Sequence, residues 1–171
     1  MNESARLGGT VPVDETSFRW FFETEYQRLC QALFLLTGDA YEAEDLAQEA
    51  MTRALERWER VGTMDSPAGY VYRTALNLNR KRIRRLVVAA RRALASVPAE
   101  DHSGTVGDQQ DVRRALAEVS AREREALVLV DWLELNAEEA GQLLGIAPGT
   151  LRVRLHRGRA KLRDRLGGAH G

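Results

Sequence analysis

Apolar residues recur three and four positions apart along most of the chain, whereas the strict alternation of a half-buried strand is nearly absent. Between residues 18 and 36 they share one helical face, at Phe18, Phe22, Leu29, Leu33 and Leu36. Gly38 follows, and glycine tolerates the left-handed conformation that commonly ends a helix. The pattern therefore predicts an all-α fold whose first helix ends at Gly38.

Two further helices are predicted in the first half of the chain. Asp39 and Glu42 have the spacing of a capping box and predict a second helix that runs to about Trp58. A loop over residues 59–65 follows, and Ser66-Pro67 supplies the cap and the first-turn proline of a third helix. The second helix has a polar face that is expected to meet solvent, formed by Glu42, Asp45, Gln48, Glu49 and Arg53.

The second half of the chain predicts a run of short, capped helices. Asp111 opens the first, and the pairs Ser120 with Glu123 and Asn136 with Glu139 have capping-box spacing. The last short helix is expected to end at Leu144. A turn over residues 145–148 then leads into a basic amphipathic helix over residues 149–166. A short helix, a tight glycine-containing turn and an arginine-rich helix are typical of a helix-turn-helix.

The segment between these halves, residues 96–110, has the composition of turns and linkers. We therefore predict two small helical domains joined by a flexible linker. Their bounds are a disordered tail at 1–17, a first domain at 18–92, a linker at 93–110, a second domain at 111–166 and a tail at 167–171. With about 15 flexible residues between them, the domains are expected to move independently unless a partner holds them.

The net charge of zero conceals a strong sorting of charge along the chain. Residues 1–66 have a net charge of −7, residues 67–92 of +8, residues 93–148 of −7 and residues 149–171 of +6. A surface built only for solubility would intersperse the two signs. Two separate basic segments indicate two contacts with a polyanion, the alternative being two solvated helix faces.

The basic helix of the helix-turn-helix has the side chains that DNA recognition requires. Thr150 lies near the helix N-terminus, where free backbone N–H groups favour a phosphate. Arginine can bind guanine through two hydrogen bonds, at about 1–3 kcal/mol of discrimination for each pair. The side chains expected to reach base edges or flanking phosphates are Thr150, Arg152, Val153, Arg154 and Arg157.

Several other classes of protein fit the sequence poorly. No apolar run approaches the roughly 18 residues of a membrane span. The first 17 residues lack a secretion signal, so a cytoplasmic protein is expected. The single cysteine, Cys30, cannot form an internal disulfide, and the three histidines have no metal-ligand spacing with it or with carboxylates. No phosphate-binding loop or nucleophile elbow is present, so neither an enzyme nor a metal or cofactor is expected.

Two sets of motifs, in order, resemble a known family. Residues 36–50, residues 67–71 and Asn77 before a basic run resemble region 2 of the extracytoplasmic-function (group IV) sigma factors of the sigma-70 family. Residues 145–159 resemble region 4 of the same proteins. The similarity covers about residues 16–166, and Leu36-Thr37-Gly38 is similar to the actinobacterial, sigma-E-like members.

The resemblance implies a subunit that binds core RNA polymerase, through the clamp helices of the largest subunit and the flap, and directs initiation at promoter DNA. Region 2 would contact the clamp helices through Asp45, Leu46, Gln48, Glu49 and Arg53. Region 4 would read a −35-type element. An anti-sigma factor is a further possible partner. Because catalysis would belong to the polymerase, the resemblance also implies no enzymatic activity.

A −10-type element would be read by the loop from Val61 to Asp65 and its neighbours, where a base must be unstacked at a cost of a few kcal/mol. Trp58, Tyr70 and Tyr72 are nearby aromatics that could stack on bases, although such residues are more often core. The loop residues are Val61, Gly62, Thr63, Met64 and Asp65. The residues expected to follow the template backbone or the adjoining single strand are Asn77, Arg80, Lys81, Arg84 and Arg85.

The chain departs from the common family pattern in the helix that braces the recognition helix. It has Ala137 in place of an aromatic residue and Ala140-Gly141 in place of isoleucine-alanine. Glycine inside a helix costs about 0.5–1 kcal/mol relative to alanine, so a loosely packed second domain is expected. Val153 replaces a small polar residue, which puts the −35-type sequence in question. The alternative function is a stand-alone helix-turn-helix regulator, which would leave the first half of the chain unexplained.

Overall fold

The computed structural model describes residues 15–93 and 115–167, and every regular element in these ranges is helical. The first half contains α1 (Glu15–Thr37), α2 (Ala40–Leu55), α3 (Trp58–Val61) and α4 (Pro67–Ala93). The second half contains α5 (Ala121–Leu127), a π-helical turn (Val128–Trp132), α6 (Ala137–Leu144) and α7 (Pro148–Gly167). The all-α prediction is confirmed, but α1 begins within the predicted tail 1–17 and α7 includes Gly167 of the predicted tail 167–171. The rest of both tails, most of the linker and the Asp111 cap lie outside the described residues.

Local signals place the boundary between α1 and α2 as expected, with one correction. Gly38 adopts a left-handed φ of 76° after α1. Asp39 caps α2, and its carboxylate accepts a hydrogen bond from the Glu42 N–H at 3.0 Å. The predicted capping box is incomplete, however, because the Asp39 N–H donates to the Thr37 hydroxyl. The Glu42 carboxylate instead pairs with Arg82 on α4, so it links two helices.

The structure divides the region around Trp58 differently from the prediction. α2 ends at Leu55, and Trp58 begins the separate short helix α3 within what was expected to be a loop. The break allows the Trp58 indole to enter the core, with ring centroids 5.1 Å from Phe18 and 5.0 Å from Phe21. Packing of this aromatic cluster therefore determines the path of the chain into α4. Ser66 caps α4 as predicted, and its hydroxyl accepts from the Gly69 N–H at 3.0 Å.

The second half forms the predicted helix-turn-helix. Both capping boxes are present, at Ser120 with Glu123 and at Asn136 with Glu139. α6 ends at Leu144, and the φ of 67° at its C-cap, Gly145, begins the turn into α7. The expectation of loose packing at Gly141 is wrong. A Cβ at this buried position would lie 2.9 Å from the Ile146 carbonyl oxygen, so glycine allows the tight turn to close against α6.

The two halves pack against each other in this structure, and the expected independent movement of the domains stays a prediction. The Arg80 guanidinium on α4 forms two hydrogen bonds of 2.8 Å with the Glu125 carboxylate on α5. Arg124 donates to the Leu36 carbonyl at 3.0 Å, and Arg28 donates to the Leu133 carbonyl at 3.1 Å. Buried apolar side chains from both halves belong to one continuous cluster.

Candidate nucleic-acid and partner interfaces

The helix α7 docks on its domain with one face and presents the opposite face to solvent. Leu151 and Leu155 are buried, and Gly158 packs so closely on α5 that a Cβ there would lie 2.9 Å from the Leu127 side chain. Close contact at Gly158 fixes the rotation of α7 about its axis. The predicted recognition residues that are exposed as a result are Thr150, Arg152, Val153 and Arg157, while Arg154 is half-buried.

The cations of α7 fall into two groups that the sequence pattern does not distinguish. Three of the four cations of the second half have acidic partners within the domain: Arg159 binds Asp131 at 2.5 and 3.1 Å, and Lys161 binds Glu123 at 2.7 Å. Arg165 pairs with Glu118. In the described part of the chain, Arg152, Arg154 and Arg157 of the first turns have no ion-pair partner, and neither has Arg163 of the second half. The unneutralised positive charge is therefore concentrated on the first turns of α7.

The Glu123 carboxylate connects the second half of α7 to the N-terminal cap of α5. Its carboxylate accepts from the Lys161 ammonium at 2.7 Å and from the Ser120 hydroxyl at 2.8 Å. Hydrogen bonding from Lys161, assisted by Ser120, holds the pKa of Glu123 below its ordinary value. Glu123 is thus charged at neutral pH and joins the start of α5 to the second half of α7.

The exposed face of α2 is polar and largely acidic, as predicted. One residue of the predicted polymerase contact, Leu46, does not lie on this face. Asp45, Gln48 and Glu49 are exposed, and the Arg53 guanidinium lies 2.5 Å from the Glu49 carboxylate one turn away. Leu46 is only 7% exposed and belongs to the core. Direct partner contact by Leu46 is therefore not supported by this structure, and its packing instead supports the helix that carries the acidic face.

The segment from α3 to α4 combines buried and exposed residues. Trp58 and Val61 are 6% and 0% exposed, which argues against base stacking or direct nucleic-acid contact by either side chain. The following residues are accessible: Gly62, Thr63 and Asp65 are exposed, and Met64 is half-buried. A Cβ at Gly62 would lie 3.1 Å from the Trp58 indole, so the buried ring supports the exposed turn directly.

A cleft of about 760 Å³ lies between this segment and the second half of the chain. The first half contributes Asp65, Tyr70 and Asn77, and the second half closes the cleft with Leu135, Gln142 and Leu143 among others. Tyr70 is half-buried, and its hydroxyl accepts a hydrogen bond from Arg57 at 3.0 Å. Tyr72 is buried, and its hydroxyl donates to Glu25 at 3.4 Å. Burial raises the pKa of Tyr72, so it remains a neutral core residue.

The basic half of α4 contains both paired and unpaired cations. Arg80 and Arg82 have carboxylate partners, Glu125 and Glu42 respectively. Lys81, Arg84 and Arg85 are exposed, and no ion-pair partner lies near them in the described ranges. Asn77 is also exposed, on the cleft side of the same helix. The structure thus brings these predicted site residues onto one helix, but it assigns Arg80 to a contact between the two halves.

Two negative findings apply to residues 15–93 and 115–167. No cluster of three or more histidine, cysteine or acidic side chains has the arrangement of a metal site. None of the described helices combines the length and the hydropathy that crossing a bilayer requires.

Comparisons with known proteins match both halves separately. The family described as Sigma-70 region 2 matches residues 21–87, and Sigma-70, region 4 matches residues 109–162. The RNA polymerase sigma-E factor of Streptomyces coelicolor is 28% identical over 151 residues, which cover 87% of this chain and 85% of that protein. The ECF RNA polymerase sigma factor SigE of Mycolicibacterium smegmatis is 35% identical over 152 residues, covering 81% of this chain and 57% of that protein.

A solved structure resembles the whole fold. The sigma factor RpoE of Bartonella quintana, crystallised with the anti-sigma factor NepR, superposes with a TM-score of 0.75 at 23% sequence identity. The match covers 89% of this chain and 98% of that one, so it includes both halves.

Proposed function

Because this chain belongs to the sigma-70 family and is an RNA polymerase sigma factor of the extracytoplasmic-function type, which directs promoter-specific initiation, we propose how its surfaces divide that work. The first domain, residues 18–92, acts as region 2, and the second domain, residues 111–166, acts as region 4. The observation that carries the proposal is the uneven pairing of cations on α7. Its first turns keep three unpaired arginines available for a polyanion, as a recognition helix requires, whereas three of the four cations of its second half are paired within the described residues.

Region 4 reads a −35-type element in the major groove with the start of α7. Thr150 and the helix N-terminus bind a phosphate, and Arg152, Arg154 and Arg157 reach base edges or flanking phosphates. Val153 is 50% exposed between these arginines and supplies an apolar contact, for example to a thymine methyl group. The paired cations of the second half hold α7 on the domain.

Region 2 reads a −10-type element with the exposed turn after α3 and the start of α4. The turn residues Gly62, Thr63, Met64 and Asp65 receive an unstacked base, and Tyr70 lies beside them in the cleft. Trp58 and Val61 act indirectly, by supporting the turn from the core. The backbone of the opened DNA is followed by Asn77, Arg80, Lys81, Arg84 and Arg85.

The acidic face of α2 binds core RNA polymerase. Asp45, Gln48 and Glu49 form the contact with the clamp helices of the largest subunit, and Arg53 orients Glu49. Region 4 contacts the flap. An anti-sigma factor that covers such surfaces is a further proposed partner, by analogy with the RpoE–NepR complex. As the polymerase performs the chemistry, we assign no catalytic activity to this chain, and we place it in the cytoplasm with its polymerase.

The stand-alone regulator remains the alternative function. It requires residues 115–167 alone and gives no role to the exposed acidic face of α2. A repressor of this type also binds DNA without polymerase, usually as a dimer on a palindrome.

Co-elution with core RNA polymerase on a sizing column separates the two functions. The wild-type chain is expected to co-elute, and the double variant Asp45→Arg with Glu49→Arg is expected to elute alone because the contact face changes sign. A matched control, Glu23→Arg with Glu59→Arg, makes the same charge change at exposed positions outside that face and should still co-elute. A wild-type chain that does not co-elute with core polymerase but binds duplex DNA tightly would support the regulator instead.

A further inference from the structure

One arginine outside the basic half of α4 contacts the proposed −10 surface. Arg57 lies between α2 and α3, and one of its terminal nitrogens donates to the Tyr70 hydroxyl at 3.0 Å. The two residues are 13 positions apart and flank the exposed turn at residues 62–65. Their hydrogen bond therefore joins the two ends of the turn that the proposed function gives to an unstacked base.

The backbone at both ends of this hydrogen bond is fixed by local contacts. The Arg57 N–H donates to the Ala54 carbonyl at 3.1 Å, and the Arg57 carbonyl accepts from the Val61 N–H at 2.8 Å. The Tyr70 carbonyl accepts from the Thr74 hydroxyl at 2.8 Å, in addition to its place in α4. Because both backbones are held, the bond from Arg57 sets the position of the Tyr70 ring beside the turn.

The Arg57 guanidinium keeps its positive charge available. The side chain is exposed, and no carboxylate lies within ion-pair distance of it in the residues that the structure describes. The Tyr70 hydroxyl occupies one of the guanidinium N–H donors and leaves the others free. Arginine binds phosphates with such donors, often two at a time. A nucleotide whose base lies against Tyr70 would therefore present its phosphate to an unpaired cation.

We propose that Arg57 is a positioning residue of the −10 surface, which holds the Tyr70 ring beside the turn and binds the phosphate of the nucleotide whose base lies there. The two tasks use different N–H groups of one guanidinium. The inference rests on the proposed function, because it takes Tyr70 and the turn as parts of the −10 surface. A hydrogen bond with a purely structural role would leave the salt dependence of DNA binding unchanged, whereas a phosphate contact contributes to it.

The test uses holoenzyme assembled from core polymerase and the full chain. Holoenzyme is first incubated with bubble duplexes whose unpaired non-template strand is a run of random bases, and the bound fraction is sequenced. The preferred strand then serves as a fluorescently labelled bubble probe. Fluorescence anisotropy of this probe across a range of salt concentrations gives the affinity and the slope of log affinity against log salt for each variant.

Arg57→Ala is expected to weaken binding about tenfold and to reduce the slope by about 0.7, the contribution of one phosphate contact on a single strand. Arg57→Lys keeps the charge and should restore the slope. Tyr70→Phe keeps the ring but loses the hydrogen bond, so it should weaken binding about threefold with an unchanged slope. The double variant Arg57→Ala with Tyr70→Phe should be weakened about tenfold and not about 30-fold, because one hydrogen bond can be lost only once.

The control Arg122→Ala removes an exposed arginine of α5, outside the −10 surface, and should change neither the affinity nor the slope. Thermal melts of the free chains should first establish that every variant is folded at the assay temperature. An unchanged slope for Arg57→Ala, or a double variant weakened by the product of the two single effects, would overturn the inference alone. A wild-type holoenzyme that prefers no strand would contradict the proposed function, and the inference with it.

Discussion

The uneven pairing of cations on α7 predicts two different outcomes for two triple substitutions on one helix. Arg152, Arg154 and Arg157 are unpaired in the described part of the chain, so changing all three to alanine removes three cations that can neutralise phosphates. Each such contact contributes about −0.9 to the slope of log affinity against log salt on duplex DNA. The expected change in slope is therefore about 2.7. A fourfold rise in salt should weaken wild-type binding about 40-fold more than it weakens this variant.

The second triple substitution replaces the paired cations Arg159, Lys161 and Arg165 with alanine. Their charge is already balanced by Asp131, Glu123 and Glu118, so the salt slope should change by much less. The free energy of unfolding should fall instead, because Glu123 is buried and would lose its ammonium partner.

Fluorescence anisotropy of the full chain with a labelled mixed-sequence duplex, across a range of salt concentrations, gives both slopes. A mixed sequence suffices because phosphate contacts do not depend on the bases. Circular dichroism melts should first establish that both variants are folded at the assay temperature. Equal changes in slope for the two variants, or no change for the first, would refute the division of α7 into a DNA-binding half and a docking half.

Three further predictions concern stability. Gly141→Ala should lower the free energy of unfolding by about 1–3 kcal/mol in urea melts, since its Cβ would press on the Ile146 carbonyl oxygen. The control Gly149→Ala has open space around its Cβ and should be neutral or stabilising. Glu123→Gln should cost about 1 kcal/mol at neutral pH. Because the folded-state pKa of Glu123 is lowered, that difference should vanish as the pH falls through it, and a pH-independent difference would contradict the assignment. Trp58→Ala should cost about 3–5 kcal/mol in thermal melts, and an unchanged melting temperature would contradict its burial.

Features set by neighbouring residues could be predicted from the sequence. The capping boxes at Ser120 and Asn136, the left-handed Gly38 and Gly145, and the helix-turn-helix all depend on side chains within a few positions of each other. The apolar stripe of α7 likewise follows from its spacing. Such signals are local, so the structure they predict does not depend on contacts with distant parts of the chain.

Features set by distant contacts could not be predicted in the same way. The break before Trp58 depends on Phe18 and Phe21, which lie 40 and 37 positions earlier in the chain. Glu42 has capping-box spacing, but Arg82 competes for its carboxylate. The roles of the arginines were the hardest to predict, because a basic run looks the same whether its charges face solvent or meet carboxylates tens of residues away.

Mapping of transcription start sites shows whether this chain directs RNA polymerase to promoters. Core RNA polymerase is incubated with fragmented genomic DNA, with and without the chain, and the 5′ ends of the transcripts are sequenced. We expect the chain to concentrate the 5′ ends at a small set of sites, each preceded by shared −10-type and −35-type elements. The variant Asp45→Arg with Glu49→Arg should abolish this effect. A distribution of 5′ ends that is the same with and without the wild-type chain would contradict it.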